Sequence, residues 1–274
     1  MVDLKKLASR FSNRQGSSDR FGYSWGIFSD VLPEHHEQFA RWTAALPREA
    51  WRNAHFLDAG CGIGRNSYWA MIDGAASGVA CDVDERTLAA ARQNLKVFPT
   101  IEVRNQSIYE ISEGDRFDIA FSIGVIHHLA DPEAALSRLV QAIRPGGYAL
   151  IWVYGRENMG WLLRIFDPAR RILFSRLPLR VVYHLSLVPT AVLWLALRTG
   201  FDSLEYYRLL RRFPFENLRV IVFDQMIPRI SNYWPKATVE ALCRNAGLED
   251  VRLVHTNNMS WSASGRKPIT SSAF

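Results

Sequence analysis

The stretch His55-Phe56-Leu57-Asp58-Ala59-Gly60-Cys61-Gly62-Ile63-Gly64-Arg65-Asn66 decides the fold. A short apolar run enters glycines at alternate positions, and a helical pattern begins at Arg65. A strand, glycine-rich turn and helix in this order let backbone approach a cofactor closely and aim amide groups at it. Spacing then selects the cofactor. A dinucleotide fingerprint needs glycine or alanine three positions after Gly62. Arg65 stands there instead, and its bulk would obstruct packing under a pyrophosphate. The form is D-x-G-x-G-x-G, which on its own also suits a tight turn with no ligand.

Outward from this turn the pattern alternates. Strands are expected at 55–57, 78–81, 101–103, 117–123 and 148–154, with helices at 65–73, 85–95 and 132–143 between them. Strands alternating with helices of ~10–15 residues argue for a parallel, doubly wound sheet. Upstream, Phe39, Trp42, Ala45 and Leu46 recur at helical spacing over 34–46. Residues 1–33 read as irregular around the aromatic cluster Phe21-Gly22-Tyr23-Ser24-Trp25. From Arg156 to Ile230 the rhythm breaks into an apolar, Arg-rich stretch punctuated by prolines. It resumes with a helix at 237–246 and strands at 251–255 and 260–265. The expected fold class is α/β, a Rossmann-like seven-stranded, mostly parallel sheet with an α-helical insertion before the last helix and strands. The expected division is a cap over 1–50, a core of 51–155 plus 231–274, and a helical insertion over 156–230.

Three further motifs follow in order. Asp82 ends the second strand, 22 positions after Gly60, where a carboxylate can accept both hydroxyls of a cofactor ribose. Asp84, directly before a helix, is the better N-cap. Next come Phe117-Asp118-x-x-x-Ser122-x-x-Val125-x-His127-His128-Leu129 and then Arg144-Pro145-Gly146-Gly147. Taken together, these motifs resemble those of the class I S-adenosylmethionine-dependent methyltransferase superfamily, over about 100 residues. Phe21-Gly22-Tyr23-x-Trp25, Trp152 to Arg156, Phe223-Asp224-Gln225-x-x-Pro228 and Ser260 to Pro268 resemble a narrower, small-molecule methyltransferase-like subgroup of uncharacterised or biosynthetic context, whose substrates are largely unassigned.

The resemblance implies S-adenosyl-L-methionine as methyl donor and S-adenosyl-L-homocysteine as product. It assigns Asp58, Gly60, Cys61, Gly62 and Gly64 to the methionine and ribose portions of the donor, and Arg65 and Asn66 to the neighbourhood of its carboxylate. Asp82 would hold the ribose, with Val83 beneath the adenine and Ser107 and Ile108 beside it. The family often has Asp where this chain has Ser107, so the adenine amino group would rely on a hydroxyl or a backbone carbonyl. Ser122, Ile123 and Gly124 would pass the sulfonium. Tyr23 and Trp25 either fold over the donor as a cover or pack against the core.

His127, His128 and Tyr154 lie just past the C-terminal ends of central strands, where ligands bind in open α/β sheets, and are the candidate catalytic residues. Asp224 is a further candidate base, with a cap or ion-pair role as its alternative. The insertion carries a local charge of +6, equal to that of the whole chain, and a charge-free run of 17 residues, Val181–Leu197. Pro189 interrupts that run, and a spanning helix needs ~20 residues. A buried lid with Trp194 and Leu195 over an acceptor pocket is therefore expected. Integral membrane insertion is not expected, and peripheral membrane contact stays open.

Composition agrees with a globular enzyme: 274 residues, 48% hydrophobic and 22% charged. Three isolated cysteines give neither a disulfide framework nor a metal site, which favours a reducing, cytoplasmic setting. Met1 to Arg20 reads as polar and mixed in charge, so a secretion signal is not expected there. The basic balance is mostly Arg, a weak signal for nucleic acid. The leading expectation is methyl transfer, O-directed, to a small-molecule, glycan or lipid-precursor acceptor that is partly apolar and anionic. An RNA methyltransferase and a non-catalytic donor-binding subunit are the alternatives. Against RNA stands the lack of an Asn/Asp-Pro-Pro-Tyr/Phe signature.

Overall fold

The structure is a computed structural model that describes residues 17–27, 29–160, 162–200 and 205–269. Seven strands form one sheet in the order β3-β2-β1-β4-β5-β7-β6. They are β1 (His55–Ala59), β2 (Ser77–Asp82), β3 (Ile101–Asn105), β4 (Phe117–Ile123), β5 (Ile143–Tyr154), β6 (Glu249–Thr256) and β7 (Ser260–Arg266). The first five run parallel, with Leu57 paired to Val79 on one side and Ala120 on the other. Only β7 reverses, pairing Tyr154 with Ser260 and Tyr148 with Arg266. The reversal follows from the hairpin that joins β6 to β7, since a tight turn cannot return a strand parallel.

Both faces of the sheet are buried, so its strands are apolar almost throughout. Phe56 and Leu150 point into one layer and their neighbours Leu57 and Ile151 into the other. Helices α1 (Ser18–Ile27), α2 (Glu34–Trp42), α3 (Arg65–Ile72), α4 (Glu85–Leu95) and α5 (Pro132–Ala142) precede β5. Asp84 caps α4, accepting from the Arg86 amide, and Asp131 caps α5 ahead of Pro132. Between β5 and β6 lie a π-helical segment around Leu162–Phe174, then α6 (Leu179–Leu185), α7 (Leu187–Arg198), α8 (Glu205–Leu210), α9 (Phe215–Met226) and α10 (Lys236–Asn245).

Three sequence expectations change. Residues 18–27 are helical rather than irregular; the reading of 1–16 lies outside the described residues. Gly22 and Gly26 weaken the helix propensity of this segment, and tertiary contacts hold it instead. Arg20 donates to the carbonyls of Ile227, Phe174 and Leu177 at 2.7, 3.0 and 3.3 Å. Gly22 sits so close to α4 that an added Cβ would stand 1.8 Å from Asp84 Oδ2. Helix α2 ends at Trp42 rather than 46, where the Thr43 hydroxyl bonds back to the Phe39 carbonyl at 2.9 Å. The interruption expected at Pro189 does not break the chain into short pieces. Leu179–Arg198 forms a helical run of 20 residues, long and apolar enough by length and composition to cross a membrane.

Candidate active site

The C-terminal ends of β1, β2, β4 and β5 open on a cavity of about 970 Å³ roofed by α1, α2, α7 and α9. Small-molecule sites occupy ~300–1,000 Å³, so this one has room for a donor and an acceptor together.

On the glycine-turn side, the wall carries Gly60, Cys61, Gly62, Arg65 and Asn66. Gly60 has a φ of +83°, and a Cβ there would meet Val125 at 2.5 Å. Gly62, at φ +54°, has nothing within 4 Å of that position and faces open space. Its amide donates to Asp82 Oδ2 at 3.0 Å, and the Asp84 amide donates to Asp82 Oδ1 at 3.0 Å. Asp82 thus ties the turn to the end of β2, and burial raises its pKa. Val83, Gln106, Ser107 and Ile108 continue the wall. The Ser107 hydroxyl caps the next turn, accepting from the Tyr109 amide, with Glu110 closing a capping box. Ile123 and Gly124, past β4, complete this half.

Arg65 is the cation of the cavity. Its guanidinium lies 5.2 Å from the Trp25 ring centroid and 5.5 Å from that of Trp42. Burial lowers its pKa to about 10, and the nearby Asp224 opposes that shift. No anionic group lies within ion-pairing reach among the described residues. Beside it, the buried Asn66 Oδ1 has no hydrogen-bond partner. A cation without an ion-pair partner in reach, next to an orphaned carbonyl oxygen, suits a zwitterion, a carboxylate with an ammonium group.

Five of the expected site residues lie away from the cavity wall. Asp58 is wholly buried behind the turn, accepts from Ser67 Oγ at 2.7 Å, and is pushed by burial up to about 7. Gly64 packs against Leu95 at the start of α3. The Ser122 hydroxyl is spent on the Ala59 carbonyl at 2.8 Å, stitching β4 to β1. Tyr23 turns toward Phe223 in the insertion's core rather than over the donor side. His127 is fully buried, with ring centroids 4.0 Å from Tyr154 and 4.1 Å from His128. Neither of its ring nitrogens has a partner, and burial holds its pKa well below the usual range. It packs behind His128 and Tyr154 rather than on the cavity wall.

His128 and Tyr154 do face the cavity. His128 Nδ1 must donate to the Ile230 carbonyl, 2.7 Å away, which leaves Nε2 unprotonated. Burial lowers its pKa to about 4. The Tyr154 hydroxyl accepts from Gln225 Nε2 at 2.7 Å, and burial raises its pKa. Asp224, also on the wall, accepts from Ser24 Oγ at 2.6 Å through Oδ1. Its other oxygen has no partner among the described residues. Burial pushes Asp224 up to about 7, against the Ser24 hydrogen bond and the charge of Arg65.

Sequence reasoning missed Phe21, Gln38, Gln106 and Gln225. Gln38 shares the inner face of α2 with Phe39 and Trp42 and is buried, so a polar residue on an apolar face was the available signal. Trp194 and Leu195 do not reach the cavity, which Pro189 and Leu193 line instead.

Residues 57–151 match the family model described as a methyltransferase domain. These residues carry a methyltransferase domain, and with the seven-stranded sheet they are similar to the class I S-adenosylmethionine-dependent methyltransferases, whose methyl donor is S-adenosylmethionine. Over 125 residues it is 30% identical to a ubiquinone biosynthesis O-methyltransferase of Cereibacter sphaeroides, covering 45% of this chain and 49% of that one. Over 124 residues it is 28% identical to a tRNA U34 carboxymethyltransferase of Pseudoalteromonas atlantica, covering 43% and 38%. The chain therefore spans at most about half the length of these curated relatives. A solved structure similar to it is the 1,6-didemethyltoxoflavin-N1-methyltransferase of Burkholderia thailandensis, with bound 1,6-didemethyltoxoflavin and S-adenosylhomocysteine. Its TM-score is 0.57 at 15% identity, covering 98% of this chain and 92% of that one. At that identity the likeness concerns the fold.

Proposed function

We propose that this protein methylates a hydroxyl group of a partly apolar small molecule held between the glycine turn and the insertion. When bound, S-adenosylmethionine supplies a methyl carbon already attached to a sulfonium leaving group. What is left to the protein is alignment, which can contribute ~7–11 kcal/mol, and removal of the acceptor's proton.

Arg65 and Asn66 would hold the donor's carboxylate and ammonium groups, and Asp82 the ribose hydroxyls. The acceptor lies toward Asp224, Tyr154 and His128, among the apolar side chains of Trp25, Phe166, Leu193 and Val220. With the donor bound, Asp224 would take the proton released by the acceptor's hydroxyl group. The observation that carries this reading is the Asp224 carboxyl, fixed through one oxygen by Ser24 and raised to about 7. A base with pKa near the working pH combines availability with driving force and is worth ~10²–10⁴-fold.

The test is incubation of purified protein with the donor and a library of phenols, hydroxy acids and amines, reading methylated products by mass spectrometry. Oxygen-methylated product is expected. Methylation confined to nitrogen acceptors would overturn the O-directed reading, and methylation of RNA alone would overturn the small-molecule one.

A further inference from the structure

We propose that the insertion docks flat onto an anionic phospholipid bilayer through the outer face of the helical run Leu179–Arg198. Val181, Leu185, Val188, Val192 and Leu195 recur at spacings of four and three, which aligns them in one stripe about 21 Å long. All five are exposed, Val188 by 69% and Val192 by 65%. Ile165, Ile172 and Leu173 of the preceding π-helical segment are exposed as well, Ile165 by 71%. Nine of the twelve large hydrophobic side chains exposed among the described residues fall between 165 and 195. Scattered exposed apolar residues are ordinary, but a concentrated patch marks a surface that is covered.

Charge identifies the cover. Arg180 and Arg198 bound the stripe in sequence, Arg164, Arg171 and Arg176 precede it, and all five are exposed. From 162 to 200 the one carboxylate is Asp167, buried and paired with Arg170 and Arg171. An apolar stripe fringed by guanidinium groups matches acyl chains beneath anionic headgroups. A second copy of the chain would instead set arginines against arginines. The run cannot cross a bilayer here, because its other face is buried. Val182 packs with Phe223 and Met226, and Leu197 with Leu209 and Leu218. The docking surface stands apart from the proposed chemistry, although Phe166, Pro189 and Leu193 of the same segment reach the cavity wall.

The test is co-sedimentation of the full chain with phosphatidylcholine vesicles, with and without phosphatidylglycerol. Binding is expected to the anionic vesicles, weakening as salt rises. The double variant Val188→Glu/Val192→Glu should lose at least about ten-fold in vesicle affinity with its thermal transition unchanged. Arg176→Glu/Arg180→Glu should lose about ten-fold or more and the preference for phosphatidylglycerol. Absence of vesicle binding, or equal binding to neutral and anionic vesicles, would overturn the proposal. So would a concentration-dependent dimer that the double valine variant abolishes without any vesicle binding.

Discussion

Ser24 and Asp224 stand 200 positions apart in the chain and are joined by a 2.6 Å hydrogen bond, Ser24 Oγ donating to Asp224 Oδ1. The bond links the helix ahead of the core to the last long helix of the insertion, and it orients a raised carboxyl on the cavity wall.

Replacing Asp224 by Asn should lower turnover by ~10²–10⁴-fold while leaving the affinity for S-adenosylhomocysteine nearly unchanged. Asp224 titrates at about 7 in the folded protein, so the wild-type rate should fall as pH drops below that value and the base takes up a proton. The variant should show no such limb. A pH–rate profile of both proteins, with calorimetric titration of the product, checks the two halves. Ser24→Ala should lower the rate with a smaller effect, since it unfixes the carboxylate without removing it.

Donor binding should depend on two separable contacts. Asp82→Ala is expected to cost ~1.5–3 kcal/mol, more than ten-fold in affinity, for both S-adenosylhomocysteine and adenosine. Arg65→Gln should weaken S-adenosylhomocysteine by about ten-fold or more and leave adenosine, which lacks the amino-acid end, unaffected. Isothermal titration with the two ligands distinguishes them. Equal losses for both ligands in Arg65→Gln would show that Arg65 faces something other than the carboxylate.

The glycine turn, the alternation of strands and helices, the cap of α4 and the proline start of α5 were legible because each depends on local chemistry. Asp84 precedes a helix, Pro132 opens one, and the glycines adopt conformations that few other residues tolerate. The roof was not. Helix α1 has no periodic apolar stripe of its own, because its faces meet three different neighbours: α4 at Gly22, the insertion at Arg20 and Ser24, and the cavity at Phe21 and Trp25. His127 shows what local sequence does not distinguish. Paired histidines past a strand end read alike in sequence, yet only His128 reaches the cavity, and His127 is sealed beneath it.

Arg20→Ala should unfasten the roof. The side chain donates three hydrogen bonds to backbone carbonyls of the insertion. Its loss leaves those carbonyls short of partners, at ~1–3 kcal/mol in total. Urea unfolding should show the loss, and limited proteolysis should cut near Ser18–Ile27 faster than in the wild type.

Asp58 gives the fold a pH dependence whose sign can be worked out. Its carboxyl titrates at about 7 when folded, against an ordinary value of 3.8, so folding favours its protonated form. The stabilisation is complete below the ordinary value and is lost as pH rises to about 7. Above that, burying the charge costs on the order of 4 kcal/mol relative to acid. Asp58→Asn removes this dependence. The difference in Tm, variant minus wild type, should grow from about pH 5 to about pH 8 in scanning calorimetry.

The contacts of Arg20 also set an order of assembly. Ser18–Ile27 leaves the ribosome long before Phe174, Leu177, Asp224 and Ile227, the partners that hold it. During synthesis this helix must wait while some 200 residues are added, and the glycine turn stays uncovered in the meantime. A ribosome-bound chain ending before Phe215 would have its first five strands paired and its nucleotide turn formed, with the roof still unlatched.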